Sequence, residues 1–142
     1  KANVQDSEGK INPIQSGSYG IGVSRLVAAI IEASHDDKGI IWPKSVSPFG
    51  YVLLNLSPKD ENLVKLSDAI YKKISQNNSL LYDDTTSSVG EKLNKADLIG
   101  IPQQIILGKD SIQNNTLELK ERSSGKVQVI KIGEFLKQFN NG

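Results

Sequence analysis

Tyr51-Val52-Leu53-Leu54-Asn55-Leu56 is a short apolar run of the kind that forms a strand buried on both faces. The next residues supply a cover. Ser57 or Asp60 can cap a helix in which Leu63, Leu66, Ile70 and Ile74 recur at helical spacing, with Lys65, Lys72 and Lys73 off that stripe. Leu80-Leu81-Tyr82 reads as a second strand ending at Asp83-Asp84, a weaker helix spans about Val89 to Ile99, and Gln104-Ile105-Ile106-Leu107 is a third strand stopped by Gly108. Thr116–Lys120 and Val127–Lys131 alternate apolar and polar residues around Ser123-Ser124-Gly125, which predicts a hairpin. A last helix gathers Ile132, Phe135, Leu136 and Phe139 on one face. This order predicts an α/β fold: a mixed β-sheet with helices packed on its faces.

The upstream part reads differently. Val4-Gln5-Asp6, a turn through Ser7–Lys10 and Ile11–Ile14 suggest a hairpin that leads into Gly17-Ser18-Tyr19-Gly20-Ile21-Gly22-Val23-Ser24-Arg25 and the apolar helix Leu26–Ile31. Glycines at a helix start let a ligand approach the backbone, where free N–H groups and the helix dipole favour an anion. Arg25 adds a planar, permanently charged fork. Glycines there also serve close packing, so spacing alone leaves both readings open. The helix from about Val23 to Ala33 is apolar on most faces, and exposed apolar area or disorder is expected there. Asp36-Asp37-Lys38-Gly39 is a turn, and Trp42-Pro43 with Pro48 suggests an extended, stiff linker. His35 reads as a surface or hinge residue and Trp42 as a packing anchor. The chain divides into residues 1–46 and 47–142.

Charge and composition narrow the partners. With 17 Lys and Arg against 16 Asp and Glu, the chain is no generic nucleic-acid coat; bound RNA would be read through a few bases. There is no cysteine and a single histidine, which excludes disulfide and cysteine–metal frameworks and a histidine cluster, and no metal site is expected. No run approaches the ~18 apolar residues of a membrane span, and the start lacks a signal-peptide apolar region. A cytoplasmic protein is the simplest expectation, with no membrane partner.

Several segments together resemble a known family. Gly20-Ile21-Gly22-Val23-Ser24-Arg25 before an apolar helix is similar to motif 3 of the class II aminoacyl-tRNA synthetases, in the form of bacterial-type prolyl-tRNA synthetases. His35–Pro43 and Ser47-Pro48-Phe49 resemble that family's passage into its C-terminal anticodon-binding domain. Tyr82-Asp83-Asp84, Gly90-x-Lys92-Leu93, Ala96–Pro102 and Ile105–Gly108 resemble the domain's own signature, so the resemblance runs from about Val4 to the end. It implies a class IIa anticodon-binding fold over 47–142, preceded at 1–46 by the last part of a catalytic domain. Motifs 1 and 2 are not found, so a C-terminal fragment, inactive on its own and needing no cofactor, is expected. The parent enzyme would use ATP and Mg²⁺ to attach proline to tRNA(Pro), as a homodimer joined through its catalytic domain. Gly20, Gly22 and Arg25 would contact ATP.

In open α/β sheets ligands gather at the carboxyl ends of strands, the edge that holds Asp83, Asp84 and the loop through Glu91 and Lys92. Guanine presents two adjacent donors that one carboxylate can accept, and proline anticodons end in two guanines. The expected anticodon-binding residues are Asp83, Asp84 and Glu91, with Lys92 and Lys95, or Lys73, offsetting phosphate charge. Taken without the resemblance, Asp83-Asp84 and Ser87-Ser88 read rather as a turn and a helix cap than as a binding site. Thr85 and Leu93 stand where relatives commonly carry arginine and an aromatic residue, and Ser18 where many have cysteine. Two other classes compete: a stand-alone or accessory module of the same fold that binds RNA or protein, and a small phosphate-binding domain centred on Gly20 and Gly22. The second lacks a Gly-Lys-Ser/Thr loop.

Overall fold

The computed structural model describes residues 2–139; Lys1 and residues 140–142, which the two expected segments include, lie outside them. Five strands form the main sheet: β5 (Tyr51–Asn55), β6 (Leu80–Asp83), β7 (Gln103–Leu107), β8 (Thr116–Glu121) and β9 (Val127–Lys131). Their order is β6-β5-β7-β8-β9, with β5 parallel to both neighbours and β8 and β9 added antiparallel. This is the mixed sheet the sequence predicts.

Alternation along β5 explains its unbroken hydrophobicity. Leu53 faces one layer, with Leu63, Ile70 and Ile74 of α2 (Glu61–Ile74) and Phe135 of α5 (Ile132–Lys137). Val52 and Leu54 face the other, with Ala96 of α3 (Val89–Ile99), Ile101 and Ile106. Tyr51, Phe135 and Phe139 close the first layer through edge-on ring contacts. Asp60 caps α2 by accepting from the N–H groups of Asn62 and Leu63, Ser88 and Glu91 form a reciprocal cap on α3, and Gly100 ends α3 at φ 78°. A short helix, α4 (Lys109–Asn114), follows β7 where the sequence predicts only a stop at Gly108. It is one and a half turns long and carries a single large apolar residue, Ile112, so no stripe announces it.

Upstream, β1 (Asn3–Gln5) and β2 (Ile11–Pro13) form the expected hairpin, and α1 (Val23–Ala33) buries none of its residues. Ile11, Tyr19, Ile21, Val23, Leu26 and Val27 are all exposed. The segment after α1 makes the turn expected at Asp36–Gly39, but from Trp42 to Pro48 it is not the extended linker expected. It pairs β3 (His35–Asp36) with β4 (Gly39–Ile40), then turns at Pro43, whose carbonyl accepts from the N–H groups of both Val46 and Ser47. Proline restrains the residue before it and leaves those after it free to turn. Trp42 is the anchor its sequence position suggests: its indole N–H donates to the Ile99 carbonyl at 3.0 Å and its ring packs on the Val52–Leu54 layer.

Candidate nucleic-acid interface

Strands β5, β6 and β7 run parallel, so their carboxyl ends share one edge of the sheet. Asp83 ends β6 there. Its Oδ1 accepts from the Thr85 hydroxyl at 2.6 Å and from the Thr85 N–H at 3.0 Å. Lys92 reaches across from α3, 3.6 Å from the same oxygen, and Lys95 lies 4.0 Å from Oδ2. Burial is the largest single influence on Asp83 and would raise its pKa. The Thr85 hydrogen bonds and the two lysines together outweigh it and hold the carboxyl below its usual range. The group is an anion at neutral pH, nearly buried yet open at one side.

The two lysines play different parts. Lys95 is 56% exposed, whereas Lys92 has no exposure at all and donates to the carbonyls of Asn55 at 2.7 Å and Asp83 at 3.2 Å. The sequence suggests that Lys92 offsets phosphate charge; its ammonium instead ties the ends of β5 and β6 together and is closed to any phosphate in solution. Two strand-end carbonyls and a carboxylate outcompete water for it. Glu91 is exposed, but its Oε2 accepts from the Ser88 N–H at 2.8 Å and the Ser88 hydroxyl at 2.9 Å, which lowers its pKa and commits that oxygen to the helix cap. Asp84 is exposed beside Asp83. Of the five expected residues, Asp84, Glu91 and Lys95 are exposed, Asp83 lies nearly buried beside Lys95, and Lys92 supports Asp83 from within.

Two hollows open at this edge. One, of about 220 Å³, has a lining that is mostly apolar, with Leu54, Leu81, Tyr82 and Ile99, and includes Asp83, Thr85 and Lys95. A mostly apolar hollow with a few charged groups suits a flat base. The other, of about 520 Å³, lies over the ends of β5 and β7 between Ser57, Thr86, Lys59 and Lys109.

A second polar cluster is not evident from the sequence. Asp97 of α3 accepts from Gln104 Nε2 at 2.9 Å through Oδ1 and from Lys120 Nζ at 2.6 and 2.9 Å through both oxygens. Here too burial acts most strongly and upward, and the bonds from Lys120 and Gln104, with the charges of Lys120 and Arg122, outweigh it and lower the pKa. Gln104 is fully buried and its Oε1 has no partner among the described residues. The available signal is Gln104 itself, a second glutamine leading the apolar run Ile105–Leu107.

Gly20, Gly22 and Arg25 sit at the start of α1, where Gly22 holds the N-cap position and Arg25 is exposed. They share no hydrogen bond or ion pair with the Asp83 cluster among the described residues. A side chain at Gly20 would meet nothing within 4 Å, and Tyr19 is 97% exposed. These residues form at most one side of a nucleotide site, and the described chain does not enclose ATP. Among the described residues no three His, Asp or Glu side chains converge as a metal site, and no helix is long and apolar enough to cross a membrane.

A parallel three-strand core extended by an antiparallel hairpin, with helices on both faces, defines an α/β module of the anticodon-binding class. The family model of the anticodon binding domain matches residues 51–141, and the chain belongs to that family. Its relatives make the likeness more particular. It is 50% identical over 139 residues to the proline–tRNA ligase of Wolbachia sp. subsp. Brugia malayi (strain TRS), an alignment covering 98% of this chain and 32% of that protein. It is 50% identical over 136 residues to the proline–tRNA ligase of Rickettsia rickettsii (strain Sheila Smith), covering 95% of this chain and 32% of that protein. The chain thus spans about a third of the length of these curated relatives. Among solved structures, Giardia lamblia prolyl-tRNA synthetase in complex with prolyl-adenylate shares the fold, with a TM-score of 0.69, 23% identity and coverage of 80% of this chain and 25% of that one.

Proposed function

We propose that this chain is the anticodon-reading part of a proline–tRNA ligase, with residues 47–142 as the reader and residues 1–46 as the last part of the catalytic domain. One observation carries the reading: half-identity to proline–tRNA ligases runs across 98% of the chain, through both segments. The whole ligase would bind proline, ATP with Mg²⁺ and tRNA(Pro), pair through its catalytic domain and work in the cytoplasm. Gly20, Gly22 and Arg25 would border its ATP.

The chemistry of reading follows from the site. A guanine edge offers two donors and one acceptor, and a carboxylate beside an ammonium complements it. Asp83 with Lys95 is one such pair, backed by an apolar cleft that accepts the base's face. Asp97 with Lys120 is another, both partly exposed. Two guanines in the anticodon would match two such pairs, with Asp84 at the rim. Lys59 and Lys109 border the wider hollow and suit the phosphates of the same strand.

Binding of this chain to a labelled anticodon stem-loop, with its two guanines intact or changed to adenines, tests the proposal. A guanine preference of roughly tenfold, the effect of one bidentate contact, is expected to persist at physiological salt and to fall when Asp83 or Asp97 is changed to Asn. Equal binding that disappears with salt would overturn it.

A further inference from the structure

Because α1 buries no residue of its own, its stance relative to the sheet depends on the hairpin that follows it. That hairpin is seated with little room to move. A side chain at Gly39 would come 2.4 Å from the Leu98 Cα, and one at Gly100 would come 2.0 Å from the Ile40 carbonyl oxygen, so the two backbones touch. Trp42 adds hydrogen bonds from its indole to the Ile99 carbonyl and from its backbone N–H to the Gly100 carbonyl.

Arg122, at the end of the β8 strand and 4% exposed, completes the contact. Its Nη1 and Nη2 donate to the two Asp36 oxygens at 2.9 and 2.5 Å, and its Nε donates to the Asp97 carbonyl at 2.9 Å. Asp36 Oδ1 also accepts from the N–H groups of Lys38 and Gly39, so one carboxylate shapes the hairpin's turn and receives the guanidinium. A two-pronged bond of this kind fixes direction as well as distance, which a lysine in place of the arginine does not. Asp97, through its carbonyl, belongs to this contact, and through its carboxylate to the Lys120 cluster.

We infer that Asp36 and Arg122 are positioning residues that lock α1 to the RNA-reading module as one rigid body, and so set where the glycine–arginine segment stands relative to the bound anticodon. The second half of this inference rests on the ligase reading; the first does not. In the ligase, the lock would keep the tRNA end presented correctly to the catalytic domain once the anticodon is held.

The chain has no cysteine, so Glu32→Cys and Gln128→Cys, both at exposed positions, admit a pair of spin labels without interference. A single narrow distance is expected, broadening into several populations in Asp36→Asn and in Arg122→Lys. Asp36→Asn lies outside the two apolar layers and keeps the fold, which a thermal melt verifies. A broad distance in the unmodified chain, or no broadening in either variant, would overturn the lock. In the full-length ligase, Asp36→Asn is expected to lower kcat for tRNA prolylation roughly tenfold, in line with the cost of misplacing a reacting group. KM for tRNA and proline-dependent ATP–pyrophosphate exchange should stay unchanged. Unchanged prolylation, or a loss confined to KM, would overturn the positioning role. An unmodified ligase that neither exchanges nor prolylates would overturn the ligase reading instead, and the spin-label distances would still decide the lock.

Discussion

The ammonium of Lys92 stands 3.6 Å from the Asp83 carboxylate and hydrogen-bonds the last carbonyls of two neighbouring strands. A charge that sequence alone assigns to the surface thus acts as a brace beneath the Asp84–Lys95 surface. Lys92→Met would keep the volume and leave two strand-end carbonyls and a nearly buried anion without their donor. Removing one partner of such a pair costs about 2–4 kcal/mol, which a urea titration reads as an earlier midpoint. The Asp83 carboxyl, followed by NMR, should titrate at higher pH in that variant.

Replacing the exposed Lys95 separates reading from bracing. Lys95→Ala should leave stability within about 0.5 kcal/mol of the parent, as for most surface substitutions. RNA binding should weaken severalfold and its dependence on salt should fall by about one phosphate contact, measured as the slope of log affinity against log salt.

Two glycines of the same motif region should respond in opposite directions. Gly100→Ala places a side chain at φ 78° and 2.0 Å from the Ile40 carbonyl oxygen, and should destabilise by about 3 kcal/mol or more. Gly90 lies in α3, and a methyl group there would meet nothing within 4 Å, so Gly90→Ala should gain about 0.5–1 kcal/mol. Thermal melts of the two variants decide both signs.

Acid should unfold the chain through its paired carboxylates. Asp36, Asp83 and Asp97 all have native pKa values below their unfolded ones, so each contributes stability that is complete above about pH 5 and declines as pH falls through the unfolded value near 3.9 toward the native one. For Asp36 the cause is first the Arg122 hydrogen bonds, opposed by burial and reinforced by the turn N–H groups. The melting temperature should be flat from about pH 5 to 7 and fall steeply below about 4, and Asp36→Asn should flatten part of that fall.

Most of the architecture was legible because it rests on one-dimensional patterns. The apolar run at Tyr51–Leu56, the helical stripe Leu63–Ile74 and the alternation around Ser123-Ser124-Gly125 each encode their element locally. The site was only half legible, because its groups are defined by who meets whom. Lys92 is buried by carbonyls from β5 and β6, and Asp97, Gln104 and Lys120 converge from α3, β7 and β8. The docking of Asp36 onto Arg122 joins residues 86 positions apart, and no local pattern foretells it.

Strand β6 lies at the margin of the sheet, with β5 on one side only. Asp84, Thr85 and Lys95 therefore occupy a frontier that supports no further layer, while the brace at Lys92 and the close contact at Gly100 lie inside it. Exposed positions along that frontier can change with less effect on the interior than changes at Lys92 or Gly100, which touch buried backbone.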